Sequence, residues 1–274
     1  MKRMRGSEGR QSAAGWLGRR GAALRGCLLA LLVLGGLSLV LSARALRPAG
    51  WRAVGEGLAY RVVHITASDA GGRATLHVLR VDPRRYRIRL VTAGEGATAT
   101  AQEMAERHGA VAAINGGFFD ERFRPLGLRV TRGRELRPLR QADWGVFLIR
   151  AGKAAIVHTR DYRPHGVEEA LQCGPRLVVN GRVTRLKRQS ARRACLGIDR
   201  QGRVLMVVTE GADLDATRLA RVLRAPEAEG GLACRDALNL DGGPSAQLHV
   251  AARGLHLRLP GTWGVPDGLA VFPR

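Results

Sequence analysis

Residues 100–120 read T-A-Q-E-M-A-E-R-H-G-A-V-A-A-I-N-G-G-F-F-D, and within them the chain changes period twice. Thr100 to His108 has helical spacing, with Thr100 as N-cap and Glu103 three residues on as its capping-box partner. Gly109 ends the helix, since glycine accepts the left-handed turn that closes a last helical turn. Ala110–Ile114 is then an apolar run of strand length that meets Asn115-Gly116-Gly117 with no polar spacer. Upstream, Tyr60–Thr66, Ala74–Val81 and Tyr86–Thr92 alternate with period two between Gly-Gly and Asp-Pro turn signals. Downstream, strands are expected at Gly145–Ile149, Arg176–Val179 and Val204–Thr209. A second helix is expected from Asp215 to Leu223, with Leu219, Val222 and Leu223 on one face. Arg224–Arg235 reads as irregular, and Ala237–Leu240 as a short strand. Strands outnumber helices and no repeat appears. This is the pattern of an α+β fold: a single domain of mixed, mostly antiparallel sheet with a few helices.

The end of the Ala237–Leu240 strand repeats the form of the first segment. Asp241-Gly242-Gly243-Pro244-Ser245 follows it as Asn115-Gly116-Gly117 follows Ile114. A polar residue closing an apolar strand projects at the sheet edge, and paired glycines let a ligand approach the backbone closely. Each segment alone also reads as a tight turn. Two of them, beside the glycine-flanked Gln172-Cys173-Gly174-Pro175, favour a binding site.

Composition bounds the partners and the compartment. The net charge of +22 rests on 45 basic residues, of which only three are lysine. The excess is spread along the chain and no nucleic-acid-binding motif accompanies it, so a nucleic-acid partner is not expected. Affinity for anionic envelope polymers or phosphate-bearing glycans fits the charge. Lys2, Arg3, Arg5, Arg10, Arg19, Arg20 and Arg25 precede an uncharged stretch, Cys27 to Ala43, which lies at the lower limit for crossing a bilayer. Residues 1–26 are read as a basic cytoplasmic tail and 27–45 as a signal anchor. Ala43-Arg44-Ala45 has the form of a peptidase site, so a signal peptide cleaved after Ala45, with a secreted or periplasmic product, is the other reading. Residues 46–58 are expected to be a linker and 59–274 the folded domain, outside the cytoplasm. Cys173, Cys195 and Cys234 allow one disulfide and one thiol, with no pairing favoured. Neither the cysteines nor the seven histidines have metal-ligand spacing, and no cofactor is expected.

Five segments in one order then carry a resemblance: NGGFF at 115–119, P-x-G-L at 125–128, Q-x-G-P-x-L-V-x-N-G at 172–181, R-x-x-x-G-I-D at 193–199 and LNLDGGPS at 238–245. The chain, over about residues 60–273, resembles the phosphodiester glycosidase family. The resemblance implies a hydrolase that releases a sugar from a sugar-1-phosphodiester or related anionic glycan. Carried over by motif, it implicates Asp241, Arg193 and Glu210 (in V-V-T-E-G) as catalytic. It implicates Asn115, Gly116, Gly117, Gln172, Gly174, Gly242, Gly243 and Ser245 in substrate binding. The family often has Thr after the arginine where this chain has Ala194 and Cys195, so a hydroxyl contact made there by relatives would be absent. Arg192, directly before, shares the arginine assignment.

The residue types suit that chemistry. Cleavage between C1 and oxygen expels a phosphate monoester, which needs less acid assistance than an alkoxide. It needs cationic donors for the phosphate, which an arginine fork and the Gly242 and Gly243 amides are expected to supply. Asp241 is the first choice for the carboxylate that stabilises the cationic sugar or activates water, and Glu210 the second. Asn115 and Gln172 suit hydroxyl or amide recognition. Ser245 is read as a hydrogen-bonding residue, because GGPS lacks the strained elbow of serine hydrolases. The alternatives are a phosphodiesterase that breaks the P–O bond and a non-catalytic envelope module that binds phosphorylated polysaccharide.

Overall fold

The structure, a computed structural model, describes residues 50–68 and 71–274. The basic tail, the apolar stretch 27–45 and the start of the expected linker lie outside the described residues. Within them, no helix is long and apolar enough to cross a membrane.

Three larger antiparallel sheets, with a two-stranded pair of Ser190–Ala191 and Leu214–Asp215, make up the described domain. The largest has eight strands in the order Arg52–Gly55, Leu58–Ser68, Gly71–Val81, Val204–Gly211, Ala194–Asp199, Cys234–Asn239, Arg176–Val179, Arg182–Val183. A second sheet runs Arg134–Arg137, Arg129–Thr131, Val167–Cys173, Gly145–Arg150, Lys153–His158. The third runs Leu255–Leu259, Leu248–Ala252, Ala112–Asn115, Asp267–Pro273, Tyr86–Thr92. Their inner faces share one core, to which Leu79, Ile114, Phe147, Leu171, Leu196, Met206, Leu238, Leu248 and Leu269 contribute. Closing that core removes a large apolar area from water at about 25 cal/mol per Å², the main term holding the sheets together.

Two helices cover outer faces, as expected of an α+β fold. Helix α1, Ala101–His108, has both reciprocal bonds of the capping box between Thr100 and Glu103, and Gly109 closes it at φ 65°. Its small face, Ala101, Met104 and Ala105, packs on Ala113 and Ala270 of the third sheet. Helix α2, Ala216–Arg224, is capped by Asp215, whose carboxylate accepts from the amides of Thr217 and Arg218. It buries Leu219, Ala220 and Leu223 against Val178, Leu205 and Val207 of the large sheet.

The structure differs from the sequence reading at two kinds of place. Residues 52–58 are not linker: Arg52–Gly55 pairs with the start of Leu58–Ser68, Val54 and Leu58 are buried, and the Arg80 guanidinium stacks on Trp51 at 3.8 Å. The strands Val167–Cys173 and Ala194–Asp199 gave no alternating signal because both of their faces are covered. A strand buried on both sides carries no period of two. The three cysteines among the described residues are buried free thiols, and burial pushes Cys173 and Cys195 up to about 12.

Candidate active site

The two glycine-glycine segments meet. Ala112–Asn115 ends in the third sheet and Cys234–Asn239 in the first, and the chain ends cross there. Asn115 Nδ2 donates to the Asp241 carbonyl at 2.8 Å and to the Gly116 carbonyl at 3.1 Å, while its Oδ1 accepts from the Gln247 amide at 3.1 Å. The Asp241 amide donates back to the Gly116 carbonyl at 3.2 Å. Both side-chain groups of the wholly buried Asn115 are thus engaged within the protein, and Nδ2 holds the Asp241 backbone. Asn115 is a strut, in place of the ligand contact expected of it.

Asp241, Gly242 and Gly243 open onto a cleft of about 720 Å³, with Phe118, Trp144, Gly174, Arg185, Lys187, Arg193 and Asn239 among its walls. Three other clefts, of 380–520 Å³, hold none of the expected site residues. Burial pushes the Asp241 carboxyl above the usual carboxylate range; hydrogen bonds from Ser245 and Gly242 oppose this, the Asp267 charge adds to it, and the Arg129 charge opposes it. Ser245 Oγ also accepts from Trp263 Nε1 at 3.0 Å. An indole nitrogen only donates. The serine proton is therefore directed to Asp241, and Ser245 orients the carboxylate rather than attacking.

Aromatic and cationic side chains both line the cleft. Phe118 and Trp144 meet edge to face with centroids 5.2 Å apart. Gly174 lies directly under Trp144, where a β-carbon would come within 2.6 Å of the indole. Arg193, also in the lining, has a fixed pose: Nε donates to the Leu214 carbonyl at 2.9 Å and Nη2 to the Gln189 carbonyl. Nη1 has no hydrogen bond to the described residues. The bidentate fork expected at Arg193 is therefore half committed to backbone. Arg185 and Lys187 lie exposed in the same lining, with no side-chain hydrogen bond or ion pair among the described residues. Arg192 is excluded from the cleft, since its side chain reaches the carbonyls of Thr209 at 3.1 Å and Pro260 at 2.7 Å.

Other expected roles shift. The Gly243 amide donates to the Arg192 carbonyl at 2.7 Å and the Gly242 amide faces the Asp241 carboxylate, so neither is free for an anion. Gln172 is fully buried, holding the Leu128 and Arg140 amides, the Arg140 carbonyl and the Thr159 hydroxyl. Glu210 is absent from the cleft: its carboxylate is largely exposed and lies 3.2 Å from His77 Nε2. Among the described residues no cluster of His, Cys, Asp and Glu could hold a metal ion.

Three residues behind or within the cleft had no assigned role in the sequence. Arg129 and Asp267 form an ion pair at 2.7 Å with side chains 1% and 0% exposed. Arg129 Nη1 adds bonds to the Leu128 and Gln172 carbonyls, both at 3.0 Å. Burial raises the Asp267 carboxyl against the pull of Arg129, and its Oδ1 has no hydrogen-bond partner. A β-carbon on Gly116 would sit 1.7 Å from that oxygen, and one on Gly117 2.8 Å from Arg129 Nη2. The Asn-Gly-Gly segment is glycine because this pair fills the space behind it. Asn239 is the third, and its signal was available: two residues before Asp241, it shares the strand face that opens on the cleft.

The sequence model of the phosphodiester glycosidases matches residues 108–272, a span that holds every one of the motif segments. The chain belongs to the phosphodiester glycosidase family. It is accordingly a glycosidase, a hydrolase acting on phosphodiester-linked sugars. Among solved structures it is similar to the zebrafish N-acetylglucosamine-1-phosphodiester alpha-N-acetylglucosaminidase catalytic domain, auto-inhibited by its pro-peptide. The TM-score is 0.65 at 16% identity over 83% of this chain and 87% of that one. A hypothetical protein from Synechocystis gives 0.54 at 16% identity over 83% and 64% of the two chains. A putative exported protein from Burkholderia pseudomallei gives 0.54 at 14% identity over 74% and 75%. At such identities the likeness is one of fold. No curated protein matches the chain.

Proposed function

We propose that the Asp241 cleft hydrolyses a sugar-1-phosphodiester of the cell envelope, on the outer side of a membrane to which residues 27–45 anchor the chain. The observation that carries this reading is a cleft whose lining combines two aromatic rings, three cationic side chains and one braced carboxylate. The sugar ring stacks on Phe118 and Trp144, since aromatic faces suit the C–H face of a pyranose. The phosphate lies toward Arg193 Nη1, Arg185 and Lys187, which take up the charge of the departing monoester. Asp241 faces C1, where its carboxylate balances the developing cation and accepts the proton of the attacking water. The anchor rests on the basic flank and apolar stretch of the N-terminus.

The test is turnover by the full chain in detergent on sugar-1-phosphodiesters, nitrophenyl glycosides and bis-nitrophenyl phosphate, run in ¹⁸O-water. Turnover of the first class with label on the sugar supports the reading. Label on phosphate means P–O cleavage, and binding without turnover means a non-catalytic module.

A further inference from the structure

We infer that Asn239 reads a hydrogen-bond donor on the sugar, carried by the ring carbon beside the anomeric centre. The inference rests on the reading of the Asp241 cleft as the site of hydrolysis.

Asn239 ends the Cys234–Asn239 strand, is 4% exposed and borders the cleft. Its Nδ2 donates to the Gly174 carbonyl at 3.0 Å and to the Leu240 carbonyl at 2.6 Å. Those two acceptors fix the orientation of the amide, because the reversed rotamer would set Oδ1 against both carbonyl oxygens. The carbonyl oxygen is then left buried and accepts no hydrogen bond from the described residues. Buried side-chain acceptors without a partner are rare in folded proteins and call for an explanation. Here the explanation is a ligand.

The chemistry of Oδ1 selects what that ligand presents. It is an acceptor only, so it pairs with a hydroxyl O–H or an amide N–H and disfavours an ionised phosphate oxygen. Asn239 therefore suits the sugar rather than the phosphate. Asn239 and Asp241 lie two residues apart and both line the cleft, so we take them to address neighbouring points of one ring. With Asp241 at C1, the donor beside it is the substituent on C2. A site built to bond a substrate donor rejects the analogue that lacks it far more strongly than an apolar pocket rejects a missing methylene.

The test is a cycle between enzyme and substrate. The kcat/KM ratio of the parent sugar-1-phosphodiester to its 2-deoxy analogue is measured for wild type and for Asn239→Ala. Comparing the ratios cancels the intrinsic reactivity of the deoxy sugar and any uniform damage from losing the Nδ2 bonds. A parent preference at least tenfold larger in wild type is expected. Ratios within twofold of one another would overturn the inference and leave Asn239 a purely structural residue. Should Asn239→Ala fail to fold, wild type alone decides, with non-cleavable C-glycosyl phosphonates of the same sugar. Replacing the C2 donor by fluorine, which cannot donate, should weaken binding about tenfold or more, and equal affinity refutes the inference. Wild type that turns over neither diester instead removes the cleft reading itself.

Discussion

Asp267→Asn tests how the buried pair supports the site. The substitution is nearly isosteric and leaves an amide oxygen for Arg129 Nε, so shape and the 2.7 Å bond can persist while the charge is lost. What remains is a guanidinium 1% exposed with no counter-charge. Breaking a buried pair from one side costs about 3–5 kcal/mol, and the retained bond argues for about 3. For a domain of this size each kcal/mol moves Tm by about 2–4 °C, so a fall of roughly 6–12 °C is expected. Replacing both partners, as in Arg129→Met with Asp267→Leu, should recover a good part of it, because a matched apolar pair carries no unpaired charge. The second readout is electrostatic. The Asp267 charge raises the Asp241 carboxyl and that of Arg129 lowers it, so neutralising Asp267 lets Asp241 ionise at lower pH. The acidic limb of kcat/KM should move down in the variant. Calorimetry and a pH–rate profile on one preparation suffice. A Tm within about 2 °C of wild type together with an unmoved limb would refute both the energetic argument and the coupling.

Three other outcomes follow from the same geometry. Asp241→Asn should reduce turnover about 10²-fold or more, the scale of a positioned acid or base. Its folded-state pKa is raised, so the ionised carboxylate opposes folding above that pKa and the penalty disappears as pH falls to the ordinary carboxylate range. The variant should therefore melt no lower than wild type at pH 7, with any gain fading near pH ~4; a gain that grows with acidity contradicts this sign. Gly116→Ala places a methyl where Asp267 Oδ1 already stands, so Tm should fall by several degrees, and an unchanged melt would mean the pair can move aside. Glu210→Gln should leave kcat and KM within about twofold of wild type, because its carboxylate lies outside the cleft; a loss of 10²-fold would return Glu210 to the mechanism.

Local chemistry made much of this protein readable from its residues. Helix α1 was legible to the residue because a capping box and a C-terminal glycine are short-range signals, and Tyr86–Thr92 and Arg176–Val179 were legible because one face or a bounding turn marked them. The family was legible in five ordered motifs, and Asp241 stood out as a carboxylate closing an apolar strand before two glycines. Tertiary structure decided what those residues do. That Asn115 braces Asp241 across 126 residues, and that Arg129 meets Asp267 across 138, are facts of sheet packing which no local pattern encodes. Among 42 arginines, only the fold distinguishes Arg129, locked in a buried ion pair, Arg192, tied to Thr209 and Pro260, and Arg185 and Arg193, which line the cleft. The glycines show the division most plainly. Sequence marks Gly116 and Gly117 as places of close approach, and only the folded chain reveals that what approaches them is the protein's own buried ion pair.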